Sequence, residues 1–260
     1  MRIEDLDRPR EARGAADAIL RTLEDYGFEW DGTVMWQSRR QAAYAAALEH
    51  LEREGAVFPC ACTRREVSDS TLGGRSEPIY PGTCRGGIPA GRRARAIRAR
   101  VDDAVIGFED RLQGKIEQNL ADEVGDFVVR RADGLFAYQM AVVVDDFEQG
   151  ITDVVRGADL LASTPRQMLL QRRMAYPAPN YMHLPVAVNR DGEKLSKHTL
   201  AAPLAPTEGP LQLWRALRFL GQEPPTDLKT ESVAALWSWA LVNWQTGKIP
   251  RKRSICEDPV

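Results

Sequence analysis

The stretch that most restricts this chain is LFAYQMAVVVDDF, residues 135–147. It is too apolar to lie on a surface, so it is buried, and a short apolar run of this kind fits a strand or a helix equally well. The segments C-terminal to it narrow the fold. ITDVVRG (151–157) is rich in β-branched residues and reads as a strand. STPRQMLLQRRM (163–174) reads as a helix, with Thr164 as cap, Pro165 in the first helical position and Gln167 completing a capping-box pattern. LPVAV (184–188) is a further strand, followed by the polar loop NRDGEKLSKH (189–198). Buried strands alternating with helices predict an α/β core.

The flanks add helices and an irregular middle. Residues 11–27 place Ala15, Ile19 and Leu23 on one helical face, with Gly27 as the stop. Residues 38–54 form a second helix with Tyr44, Ala47, Leu48 and Leu51 as the buried stripe, Ser38 as N-cap and Gly55 at the end. From 56 to 122 Gly, Pro and Arg become frequent and helical periodicity fades, which predicts an insertion with short strands. DFVVRR (126–131) is a strand and ADG a turn. Beyond 206 the pattern is helical again, with Leu211, Trp214, Leu217 and Leu220, then Val233, Leu236, Trp237, Leu241 and Trp244. The expected division is a core of 1–55 and 123–205, an insertion of 56–122 and a helical region of 206–260.

Composition excludes several classes. No apolar run approaches the roughly 20 residues that span a bilayer, and no secretory signal opens the chain; the expected location is the cytoplasm, with no membrane partner. A formal net charge of -2 gives no global basic field for nucleic acid. Two local basic clusters stand out, Arg92, Arg93, Arg95, Arg98 and Arg100, and Lys248, Arg251, Lys252 and Arg253. Each is a solvated face or a set of phosphate contacts. Cys60, Cys62 and Cys84 fall close together with Cys256 far off, a pattern of metal ligands or reactive thiols rather than a disulfide framework.

In GEKLSKH, Lys194 and Lys197 lie three apart on a loop after a strand, where two ammonium groups can converge on phosphate oxygens and neutralise charge as it develops. With YQMAVVVDDFEQGITDVVRGADLLASTPRQ (138–167), RIEDLD (2–7) and KLSKH (194–198), the chain resembles the class I glutamyl-type aminoacyl-tRNA synthetases over roughly residues 2–245. It is most similar to their short branch that attaches glutamate to queuosine in tRNA(Asp). The resemblance implies a Rossmann-type parallel sheet with a zinc-bearing insertion and a helical C-terminal region. It implies ATP with Mg²⁺, glutamate and queuosine-bearing tRNA(Asp) as partners, and a monomer is expected.

The resemblance also carries residues. Glu4, Tyr138 and Arg156 fall at amino-acid positions, Glu4 suited to an α-ammonium and Arg156 to a bidentate grip on a carboxylate. Lys194 and Lys197 fall in the loop that contacts ATP, Lys197 at the nucleotide-contacting position. Read without the resemblance, Tyr138 is a core aromatic and Arg156 a surface ion-pair residue. Cys60, Cys62, Tyr80 and Cys84 match a zinc knuckle of three cysteines and a tyrosine; from the residues alone, Glu66 and Asp69 compete with Tyr80 for the fourth place. The resemblance further implies a first strand, an Arg-containing loop and a HIGH-type motif. The chain as given shows no His-x-Gly-His-like run, since His50, His183 and His198 are isolated. A sheet lacking its first strand and an impaired ATP site are therefore expected. Two other readings are a fragment of glutamyl-tRNA synthetase and a non-catalytic zinc-containing RNA-binding remnant.

Overall fold

The computed structural model describes residues 1–7, 11–69, 79–103, 105–195 and 204–256. Its elements in the first half are Arg2–Ile3 (β1), Ala15–Asp25 (α1), Met35–Trp36 (β2), Gln41–Arg53 (α2), Val57–Cys60 (β3), Arg64–Asp69 (α3), Ala96–Ala99 (β4), Val105–Asp110 (β5), Gly114–Asn119 (β6) and Leu120–Glu123 (α4). The second half holds Val128–Arg130 (β7), Tyr138–Glu148 (α5), Asp153–Gly157 (β8), Thr164–Arg173 (α6), Asn180–Leu184 (β9), Val186–Val188 (β10), Gly209–Phe219 (α7), Val233–Asn243 (α8) and Ser254–Cys256 (β11).

The ambiguous apolar run is helix α5, and Met140 through Asp146 are buried without a break. A helix buried at consecutive positions has neighbours all round; here α2, α6 and β7 pack against it. The expected stripe of α2, Tyr44, Ala47, Leu48 and Leu51, joins this core together with Val143, Val144 and Leu170. Asp145 on α5 is fully buried and does not stand alone: it accepts from Gln37 Nε2 at 2.8 Å, Tyr44 Oη at 2.8 Å and Arg40 Nε at 2.6 Å. These bonds fasten the start of α2 to α5, because a buried carboxylate is tolerated only when its lone pairs are taken up.

The described strands make four sheets. The largest has the order β6-β5-β9-β8, with β8 and β9 parallel and β5 and β6 an antiparallel hairpin. β3, β4 and β7 form an antiparallel sheet. β1–β2 and β10–β11 are separate parallel pairs. The strand pairing therefore crosses the expected boundary at 122: β4 pairs with β7, and β5 with β9 through Asp110 and Tyr181.

Several local expectations change. Ser38 does not cap α2; it sits in a 3-10 turn over Gln37–Arg39, and its backbone N–H donates to Asp5 Oδ1 at 2.8 Å. Thr164 is the first residue of α6 and makes no cap bond, because its hydroxyl and the Gln167 amide are engaged elsewhere. Ile19 is 49% exposed, and Leu241 is 81% exposed. Gly27 does end α1, with a φ of 73°. A Cβ there would lie 2.9 Å from Val233 Cγ1, so glycine also allows α1 to approach α8. Tyr26 consequently packs with Leu213, Trp214, Leu217 and Leu236 of the C-terminal helices.

Candidate functional site

Parallel pairing of β8 with β9 sets Arg156 beside His183. Arg156 Nε donates to His183 Nε2 at 3.0 Å, and Nη2 donates to Thr164 Oγ1 at 2.8 Å and Gln167 Oε1 at 2.9 Å. The two residues that suggested a helix cap thus face back to β8 as acceptors for the guanidinium. All three partners are uncharged or, for the ring, a nitrogen lone pair. Among the described residues no carboxylate pairs with Arg156, and Nη1 makes no hydrogen bond. Arg156 is therefore not the surface ion-pair residue of the plain sequence reading. A side-on bidentate grip through Nε and Nη2 is also unavailable, since the protein occupies that edge.

His183 is completely buried, and its Nδ1 lies 2.6 Å from Asp110 Oδ2. Asp110 ends β5 and gathers the backbone N–H groups of Leu112 at 3.0 Å, Gln113 at 2.8 Å and His183 at 3.2 Å on Oδ1. Burial alone would push the Asp110 carboxyl up; the Gln113 amide, the His183 ring and the Leu112 amide outweigh it and hold it below the usual range. Burial holds the His183 ring below its ordinary value, against the pull of Asp110.

Tyr138 is the first residue of α5, and it is no simple core aromatic. Burial raises its phenol pKa, the Glu4 carboxylate adds to the rise, and Arg156 and the nearby Gln167 amide oppose it. Glu4, Tyr138 and Arg156 thus fall within one electrostatic neighbourhood. Glu4 is bound to Arg2 at 3.0 Å, and Arg2 is in turn held by Asp146 at 2.7 Å and Gln149 at 2.9 Å on α5 and its C-terminal end. A cation, a carboxylate and a phenol that feel one another in this way suit a zwitterion with an additional acid group.

Lys194 follows β10, and its Nζ lies 2.5 Å from Asp159 Oδ2. Asp159 belongs to the 3-10 turn Ala158–Ser163 that follows β8. Lys197 lies outside the described residues.

The cysteines converge separately. Sγ atoms of Cys60, Cys62 and Cys84 lie within 4.8 Å of one another. Cys62 and Cys84 are 3.7 Å apart, and Tyr80 Oη is 3.5 Å from Cys60 Sγ and 3.8 Å from Cys62 Sγ. Zn–S bonds of about 2.3 Å in a tetrahedron put neighbouring sulfurs about 3.8 Å apart, so this donor set fits the ion. Backbone N–H groups of Cys62 and Ala61 point at Cys60 Sγ and Cys84 Sγ, both at 3.4 Å, as suits thiolates. Of the competing fourth donors, Glu66 is taken by Thr63 and by Arg92, which holds its carboxyl well below the ordinary range, at about 2. The Tyr80 phenol stays protonated without a cation, because burial and then the Cys60 thiol raise its pKa. A divalent ion at that position reverses this preference.

Two arginines of the first basic cluster make contacts within this lobe, Arg98 partly buried and Arg92 exposed. Arg98 lies 4.0 Å over the Tyr80 ring and donates to Asp126 O, and Arg92 pairs with Glu66. Sequence reasoning missed His183, Asp110, and the acceptor roles of Thr164 and Gln167.

Residues 1–208 match the family described as tRNA synthetases class I (E and Q), catalytic domain. The chain is 56% identical over 252 residues to the Glutamyl-Q tRNA(Asp) synthetase of Aromatoleum aromaticum, covering 97% of this chain and 80% of that protein. It is 56% identical over 257 residues to the protein of the same name from Dechloromonas aromatica, covering 98% and 85%. The structure of glutamate-tRNA synthetase from Elizabethkingia anophelis superposes with a TM-score of 0.75 at 22% identity. That likeness concerns the fold; it covers 96% of this chain, which spans 59% of the larger protein.

Proposed function

The chain belongs to the catalytic-domain family of the class I tRNA synthetases for glutamate and glutamine, and on that premise we propose that it activates glutamate with ATP and transfers it to queuosine of tRNA(Asp). It is an ATP-dependent ligase, and the Aromatoleum and Dechloromonas relatives carry the name of this activity over nearly the whole chain. The observation that carries the reading at the site is the guanidinium of Arg156, half-buried and, among the described residues, held only by neutral acceptors. A partly buried cation with no carboxylate in direct contact gains from an anionic ligand.

In this reaction the α-carboxylate of glutamate attacks the α-phosphate of ATP and pyrophosphate leaves. A hydroxyl of the queuosine cyclopentenediol then takes the glutamyl group from the adenylate, and AMP leaves. The α-carboxylate must stay free to react, so the carboxylate that Arg156 retains is that of the side chain, bound through Nη1. Glu4 takes the α-ammonium and Tyr138 lines the cleft between them. Lys194 and Lys197 neutralise charge on the phosphates, to which Mg²⁺ is bound. Zn²⁺ is held by Cys60, Cys62, Cys84 and Tyr80 and supplies structure to a lobe whose core is small. The enzyme acts as a monomer in the cytoplasm.

The test is charging of labelled glutamate by the purified protein onto tRNA(Asp) with queuosine, tRNA(Asp) without it, and tRNA(Glu). Only the first should accept glutamate. Charging of tRNA(Glu) would instead assign the chain to ordinary glutamyl-tRNA synthesis, and RNA binding without ATP–pyrophosphate exchange would make it a non-catalytic protein.

A further inference from the structure

We propose that Asp110 and His183 are positioning residues for substrate recognition: they lock the imidazole with its proton on Nδ1, so that Nε2 is an acceptor that orients Arg156 toward the acid group of the amino acid. The proposal rests on the assignment of Arg156 to glutamate.

The argument is one of hydrogen counting. Arginine has five N–H donors and no acceptor. An Nε–H of Arg156 at 3.0 Å from His183 Nε2 therefore requires a lone pair on Nε2. The ring proton must then lie on Nδ1, where Asp110 Oδ2 receives it at 2.6 Å. Asp110 cannot supply that proton itself, because its Oδ1 already accepts three backbone N–H groups and its carboxyl is ionised. The polarity of the chain is thus fixed from the turn after β5, through the ring, to the guanidinium. Thr164 Oγ1, 3.2 Å from Nε2 and 2.8 Å from Arg156 Nη2, closes the triangle. With Nε and both hydrogens of Nη2 engaged, the remaining donor, Nη1, is the one offered to ligand.

This differs from a structural ion pair. A neutral ring stands between the Asp110 carboxylate and the guanidinium, and His183 is wholly buried. A wrong tautomer would present N–H to N–H and turn the guanidinium away without removing any residue that touches substrate. Asp110→Asn produces that state. Its Oδ1 retains the backbone bonds, but its amide nitrogen donates to Nδ1 and drives the ring proton to Nε2.

The experiment combines ring ¹⁵N spectroscopy with steady-state kinetics on the intact protein. The His183 signals in the unsubstituted protein should show Nδ1 protonated and Nε2 bare, and Asp110→Asn should reverse them. Asp110→Asn and His183→Leu should raise KM for glutamate by about 10-fold or more, the loss expected for a charge-assisted hydrogen bond. KM for ATP should stay within about twofold, since the lost interaction is one of ground-state binding to the amino acid alone. His183→Gln, whose amide oxygen can accept from Arg156, should recover most of the glutamate affinity. An Nε2-protonated ring in the unsubstituted protein overturns the proposal, even if no variant folds. So does a uniform fall in kcat with all KM values unchanged, or an Asp110→Asn enzyme with normal KM for glutamate. Arg156→Ala separates the two levels: if it too leaves KM for glutamate unchanged, the assignment of Arg156 fails; if it raises KM while Asp110→Asn does not, the positioning role alone fails.

Discussion

Lys194 Nζ sits 2.5 Å from Asp159 Oδ2, so the loop lysine is tethered to the turn that leaves β8, the strand that carries Arg156. Both side chains are substantially exposed, which makes the pair worth roughly 0–1 kcal/mol of stability. Asp159→Asn should shift the melting temperature little. Lys194→Ala should lower glutamate-dependent ATP–pyrophosphate exchange by about 10²–10³-fold, because it removes a donor to charge that develops as pyrophosphate departs. Exchange kinetics and a thermal melt on the two variants check both statements.

Arg156→Ala should raise KM for glutamate by about 10–150-fold and alter KM for ATP little, since a hydrogen bond to a charged group is worth about 1.5–3 kcal/mol. Arg156→Lys should not restore it. An ammonium lacks the planar fork that reaches His183, Thr164 and Gln167 at once while leaving Nη1 for ligand. Steady-state kinetics with each substrate varied in turn measures both variants.

The thiol lobe should carry about one zinc per chain in purified protein. Cys60→Ser and Cys84→Ser should each reduce the metal content, measured by atomic emission, and lower the melting temperature. Tyr80→Phe deletes only the donor oxygen and should weaken retention against a chelator more than it lowers initial content.

The pH dependence of stability is set in part by His183. Its folded pKa lies below the unfolded value of about 6.5, because burial and Arg156 oppose a second charge more than Asp110 and Asp159 favour it. The unfolded chain therefore binds the proton first on acidification. Stability from this group is fully present above about pH 6.5 and declines as pH falls below it, by about 1.4 kcal/mol for each unit of separation between the two pKa values. Melts between pH 8 and pH 5 should show this decline, and His183→Gln should flatten it. Asp110, whose folded pKa is lowered, acts in a separate window, losing its contribution only as pH drops below about 4.

Asp145→Ala should destabilise the protein by about 3–5 kcal/mol, since it strands Gln37 and Tyr44 at the junction of α2 and α5 and leaves Arg40 with Glu148 in place of its buried partner. Chemical denaturation of the variant at pH 7 measures the loss.

The sequence made some of this visible and concealed the rest for identifiable reasons. Tyr44, Ala47, Leu48 and Leu51 recur at helical spacing, and periodicity alone places them in the core. The cysteine spacing likewise announces its cluster, whereas Tyr80 depended on family resemblance because a phenol carries no ligand signature. The run that forms α5 was undecidable, as burial on every side erases amphipathic period. Thr164 and Gln167 misled because hydroxyl and amide acceptors serve a helix cap and a guanidinium equally well. His183 gave no signal, since its partner Asp110 is 73 positions away along the chain. Only the parallel pairing of β8 and β9 brings the ring to Arg156.

The pairing of β10 with β11 has a mechanical consequence. Val186–Val188 lies in register with Ser254–Cys256, so the segment between them leaves and returns at the same seam. Lys194 and the C-terminal helices thereby lie on one closed loop of chain, joined at its neck by this ladder and held along its length where Tyr26 packs on α7 and α8. Weakening that ladder would free the neck of the loop and leave the seat of Arg156 in place, because β8 and β9 pair within a different sheet.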